Sequence, residues 1–318
     1  MKSFWLVLCL SVMMWADAHI FIYHRFNDQR YPTTNTTLEE LRREFDYFKK
    51  NGYEVIPLEK LVHALHNKET IPDNWVVLTI DDNYKSFYEH GLALFKEYNY
   101  PFTMFVYVNA TEQKYGDFMS WEQLKEISKY GTLEFHSLNH PHMTELSNDA
   151  LKKDFDEGLA LFEKHLGIKP RYFSYPFGEF SPRVKAIATS YGFEAILNQT
   201  MGAVASFSDP LDLDRSALVG KSNLEGFLKY KALETTWFEP TVLLEDGKLA
   251  SLRVKAQTSS TKGGIYISEH GYQEVSLSDG VFEAQLNKIL TKDRTRIIVS
   301  VGNNISTKLL VKDKYGTK

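Results

Sequence analysis

Short apolar runs alternate with helix-period segments from about residue 19 to residue 235. The runs fall at Ile20–Tyr23, Val76–Ile80, Phe102–Val108, Leu133–Phe135, Tyr172–Tyr175 and Ala195–Leu197. Several lack strict alternation, which predicts strands covered on both faces. The segments between them carry legible helix starts. Thr37 with Glu40 makes a capping box ahead of Leu41, Phe45 and Phe48, and Gly52 stops that helix. Ser120 with Gln123 repeats the device. Ser147 precedes Leu151, Phe155, Leu159 and Phe162 at helical spacing, and Ser181-Pro182 is an N-cap followed by proline at the first helical position. Such strand–helix alternation predicts a parallel α/β barrel or a doubly wound sheet.

The pattern changes after about residue 237. Thr241–Leu244, Leu249–Ala256, Gly264–Ser268, Val281–Leu286 and Arg296–Val301 read as short strands, separated at hairpin intervals by Gly, Asp, Asn and Ser. No long helical pattern remains. This region, 237–318, is expected to be a small all-β sandwich, immunoglobulin-like in architecture only, since it has no cysteines.

Residues 1–18 read as a secretory signal, with Lys2 ahead of an apolar stretch from Phe4 to Trp15 and a small-x-small site at Ala16-Asp17-Ala18. The single cysteine, Cys9, lies in that stretch, so a mature chain would have no thiol for disulfides or metal. Export to a bacterial periplasm or cell surface is the expectation, with room for peripheral association with the envelope. The 318-residue chain is 43% hydrophobic and has a formal charge of -4, which gives no reason to expect nucleic acid or an anionic membrane as partner.

Two clusters carry the candidate chemistry. Asp81 and Asp82 follow the run Trp75-Val76-Val77-Leu78-Thr79-Ile80, and His136 and His140 follow Leu133-Glu134-Phe135. Both lie at strand carboxyl ends, where α/β folds place their sites. One carboxylate and two imidazoles hold a divalent cation and leave positions open, while the other carboxylate is free to act as a base. Adjacent strand residues face opposite ways, so both aspartates reach one site only where the strand turns into a loop. Pro141 argues against a regular helix through the histidines and for a loop that curls both rings to one point. Tyr175-Pro176-Phe177-Gly178 reads as a strand ending in a proline–glycine turn, with aromatics suited either to core or to a sugar-binding wall.

These motifs resemble the polysaccharide deacetylases of carbohydrate esterase family 4, the NodB-homology fold. Thr79-Ile80-Asp81-Asp82 matches the family's T-F-D-D with Ile for Phe, and His136-Ser137-Leu138-Asn139-His140 matches H-[ST]-x-x-H throughout. Pro176-Phe177-Gly178 matches part of the third motif. The resemblance spans roughly residues 19 to 220. It implies a distorted parallel (β/α) barrel over 19–235 that removes acetyl groups from a glycan. Asp81 would be the general base. Asp82, His136 and His140 would hold one divalent metal, usually zinc, with Ser137 bracing their loop. Tyr175, Pro176 and Phe177 would contact substrate, the Phe177 N–H serving the oxyanion.

Three departures stand out. Ser174 replaces the family arginine that tethers the base, and Arg171 lies three residues further back. The late leucine–histidine motif has no counterpart, which leaves the general acid unassigned, with His24 and His142 as candidates. Asp212, Asp214 and Arg215 fall where the aspartate–tryptophan motif belongs, without a tryptophan. Such losses resemble the exported poly-β-1,6-N-acetylglucosamine deacetylases. Peptidoglycan or chitin-like oligomers are alternative substrates. A glycan-binding protein with impaired catalysis, or a non-haem iron oxygenase, are the competing classes. The role and partner of the β region are open.

Overall fold

The structure is a computed structural model that describes residues 17–243 and 246–316. The expected signal therefore lies outside the described residues except for Asp17 and Ala18, which are buried, Ala18 being bridged to Val204.

Seven parallel strands form the first body: β1 (His19–Tyr23), β2 (Trp75–Asp81), β3 (Thr103–Val106), β4 (Thr132–Phe135), β5 (Tyr172–Ser174), β6 (Ala195–Leu197) and β7 (Ser216–Ala217). Their spatial order is β7-β1-β2-β3-β4-β5-β6, with the short strand Glu54–Val55 added to β2. The ring closes through one segment. Leu213 bridges Leu197 of β6, and a few residues on, Ser216 and Ala217 pair with β1. The distorted (β/α) barrel is thus present.

Alternate residues of each strand enter different cores, which explains the missing alternation in the sequence. Val76, Leu78 and Ile80 pack outward with Phe45 and Phe48 of the helix Leu38–Lys50. Val77 joins Ile20, Phe105, Tyr172 and Leu197 on the other face. Thr79 and Asp81 continue that second row, so period-two geometry carries Asp81 to the mouth of the barrel. The capping boxes at Thr37 and Ser120 and the caps at Ser147 and Ser181 all form as expected.

The C-terminal region is all β. The strands β8 (Thr235–Glu239), β9 (Lys248–Ala256) and β12 (Val281–Ile289) make one sheet. The other contains Lys231–Ala232, β10 (Lys262–Ile267), β11 (Gly271–Ser276), β13 (Arg294–Val301) and β14 (Asn304–Val311). Leu252, Val254 and Phe282 of the first sheet share a core with Ile265, Ile297 and Val299 of the second. Two strands came without clear period-two signal. β11 is exposed almost throughout, and β14 mixes buried and polar positions on one face. Thr241 and Val242 form a bend rather than the expected strand, Leu243 makes one bridge to Lys312, and Leu244 lies outside the described residues. The division expected between residues 235 and 237 falls inside β8.

Candidate metal centre and catalytic carboxylate

Strand β2 ends at Asp81, and the next two residues, Asp82 (φ 72) and Asn83 (φ 43), take left-handed backbone conformations. That reversal turns Asp82 back toward Asp81, as two adjacent carboxylates facing one cavity require. Asn83 anchors the turn from inside. Its Oδ1 accepts from the Tyr107 N–H at 2.7 Å and its Nδ2 donates to Thr111 Oγ1 at 2.9 Å.

The histidines lie on a loop, not a helix, after β4. Ser137 (φ 69) and His140 (φ 50) make its bends, and the His140 N–H donates to Ser137 Oγ at 2.9 Å, the bracing expected of that serine. A second brace was not foreseen. Asp154, on the helix Asn148–Leu166, accepts from the Leu138 and Asn139 N–H groups at 2.9 and 3.0 Å.

His136 Nδ1 lies 2.7 Å from the Ser174 carbonyl oxygen. A carbonyl only accepts, so Nδ1 carries the proton and Nε2 presents a lone pair. That lone pair lies 3.4 Å from Asp82 Oδ1 and 3.7 Å from Asp81 Oδ2. His140 Nε2 is 3.0 Å from the same Asp82 oxygen. Donor atoms of Asp82, His136 and His140 all lie within 4.8 Å of one another. Lone pairs and carboxylate oxygens converging in a buried site repel unless a cation sits among them, so this donor set fits a divalent metal.

Asp81 is held by a residue the motifs did not assign. Arg215, fully buried inside the barrel, donates from Nη1 to Asp81 Oδ1 and from Nη2 to Oδ2, both at 2.8 Å. Its other donors reach Thr79 Oγ1, Ser174 Oγ and the Asn198 carbonyl, and its guanidinium lies over the Phe105 ring. Ser174 Oγ also donates to Asp81 Oδ2 at 3.2 Å. Burial pushes the Asp81 pKa up, but Arg215 and His136 outweigh it and hold the carboxylate ionised. The tether lost from the third motif is therefore supplied from β7's approach, and Ser174 works with it. Arg171 is elsewhere, on the surface with Glu194 and Glu59.

The third-motif turn divides by burial. Tyr175 is fully buried, stacked on Phe180, and Pro176 is buried too. Of the three, only Phe177 (φ 59) exposes its ring, which meets His140 edge-on with centroids 4.5 Å apart. Gly178 (φ 66) packs so closely that a Cβ would lie 2.3 Å from Gln199 Cβ. Among the candidate acids, His24 at the end of β1 is within electrostatic reach of Asp81, Asp82 and His136, and its buried Nδ1 has no hydrogen-bond partner among the described residues. His142 is turned away, 2.7 Å from Glu179 Oε2 and stacked on Phe177.

The parallel barrel brings two imidazoles and two carboxylates together at its strand ends as a candidate metal centre. Residues 68–196 match the family model for polysaccharide deacetylase, which supports the resemblance to the NodB-homology family. It is 22% identical over 195 residues to a Bacillus subtilis protein named as the polysaccharide deacetylase YxkH, covering 60% of this chain and 67% of that one. It is 28% identical over 123 residues to an Escherichia coli poly-beta-1,6-N-acetyl-D-glucosamine N-deacetylase, covering 35% of this chain but only 18% of that one. The fold is similar to Streptococcus pyogenes deacetylase PplD (TM-score 0.60, 21% identity, 64% of this chain and 93% of that one). It is also similar to IcaB from Ammonifex degensii (TM-score 0.59, 23% identity, 67% and 94%).

Proposed function

We propose that this protein is a metal-dependent deacetylase that removes N-acetyl groups from a poly-N-acetylglucosamine-like glycan. The observation that carries the reading is the convergence of Asp82, His136 and His140 beside the tethered carboxylate of Asp81. Zinc suits the donor set, and when bound it polarises an acetyl carbonyl and acidifies water. Asp81, ionised and fixed by Arg215, takes the proton from the attacking water. The Phe177 N–H would donate to the developing oxyanion, a contribution worth about 3–4 kcal/mol in comparable sites. His24 would protonate the leaving amine, and because burial lowers its pKa it would first have to take up a proton during the reaction. The E. coli relative's name supports the choice of glycan. Export to the periplasm or cell surface belongs to the same reading, resting on the signal pattern in residues 1–18.

A glycan-binding protein without catalysis is favoured by the missing third-motif arginine and the missing late histidine, and Arg215 makes good only the first of these. The test is acetate release from N-acetylglucosamine oligomers by the purified, zinc-loaded chain. Asp81→Asn should lower the rate about 100-fold or more while zinc still binds. Equal release by the variant and the wild type, or none by either, would sink the proposal.

A further inference from the structure

The C-terminal sandwich touches the barrel at the rim of the candidate site. Arg294, the first residue of β13, donates from Nη1 to Glu179 Oε1 at 2.9 Å. Glu179 is buried, and its other oxygen lies 2.7 Å from His142 Nδ1. The carboxylate fixes that ring, which lies flat on Phe177 with centroids 4.0 Å and planes 6° apart. Phe177 in turn abuts the ring of His140. Further contacts from the sandwich reach the same two loops. Arg296 Nη2 donates to the carbonyl of Gln199, the residue on which Gly178 packs, at 3.5 Å. The Lys314 N–H donates to the Thr144 carbonyl, just beyond His142, at 3.1 Å. Asp313 accepts from Arg183 at 2.7 Å and bonds Ser181.

We propose that Arg294 is a positioning residue: through Glu179 and His142 it holds the Phe177 turn against His140, making the sandwich a structural part of the active site. The catalytic consequence rests on the deacetylase reading above. A non-glycine residue with a left-handed backbone costs on the order of 1–3 kcal/mol and persists only where its surroundings over-determine it. Phe177 has φ 59 and an exposed ring, so the stacked His142 supplies much of that constraint. The Arg294 side chain is 55% exposed, and without it the buried Glu179 carboxylate still keeps His142 as a partner. Its loss should therefore loosen the turn without unfolding the chain.

The test uses the full chain with Arg294→Ala and Arg294→Lys. In Arg294→Ala the backbone amide resonances of Phe177 and Gly178 should shift or broaden, and kcat for acetate release should fall about tenfold with KM little changed. Lysine should restore most of both. Phe177 and Gly178 resonances unmoved in Arg294→Ala overturn the proposal, whatever the turnover. A wild type without turnover defeats the deacetylase reading alone, because the resonances are recorded without substrate and still decide the role of Arg294.

Discussion

Arg215 and Asp81 are 134 positions apart in the chain and share two hydrogen bonds of 2.8 Å inside the barrel. The guanidinium has no exposed surface, so its charge is tolerated only because the carboxylate, two hydroxyls, a carbonyl and the Phe105 face surround it. Arg215→Met should cost about 3–5 kcal/mol, read from the urea midpoint, because it strands a buried carboxylate. Arg215 lowers the Asp81 pKa, so its removal raises that pKa and moves the acidic limb of the kcat/KM profile to higher pH. Arg171→Ala should change stability by less than about 1 kcal/mol and leave the profile in place, since its partners Glu194 and Glu59 are on the surface. In the sequence both arginines were visible and neither could be assigned. Nothing local marks the one that points into the barrel.

Helices and strands were largely legible because their signals are local. Capping boxes span four residues and an amphipathic face needs two turns. The loops that build the site were not. Asp82, Asn83, Ser137, His140 and Phe177 all take positive φ, and none is the glycine that ordinarily marks such a bend. Asp154 did leave a trace. It stands on the buried side of its helix with Leu151, Phe155 and Phe162, a carboxylate in an apolar stripe. It holds the histidine loop through two backbone N–H groups, so its contribution should appear in metal binding. Asp154→Ala is expected to weaken zinc affinity about 10- to 100-fold in a chelator competition, with the far-ultraviolet spectrum preserved.

At the scale of the whole molecule, helix and barrel are joined by polar as well as apolar contacts, and one of these makes stability depend on pH. Glu44, on the buried face of the helix Leu38–Lys50, accepts from the Tyr23 hydroxyl at 2.8 Å, and burial pushes its pKa up to about 7. An unfolded glutamate titrates near about 4.3, so below that pH both states are neutral there and no penalty exists. Between these values the unfolded chain loses its proton first, and stability falls as pH rises. Glu44→Gln should remove that slope, making the variant more stable than the wild type at pH 8 relative to pH 5 by on the order of 2 kcal/mol in urea unfolding. The sandwich belongs to this scale too. Its sheet class was readable, yet its contacts at Glu179, Gln199 and Thr144 join residues far apart in the chain.

The chain by itself determined most of the barrel strands, where several helices begin, and that Asp81, Asp82, His136 and His140 stand at strand ends. Each of those follows from periodicity or capping over a few residues, where backbone geometry leaves little choice. Tertiary structure alone decided that Arg215 tethers Asp81, that Tyr175 is core while Phe177 is exposed, and that the sandwich meets the rim of the site. Those outcomes depend on how the parallel barrel closes through Leu213–Ala217, which sets the distances between residues far apart in sequence.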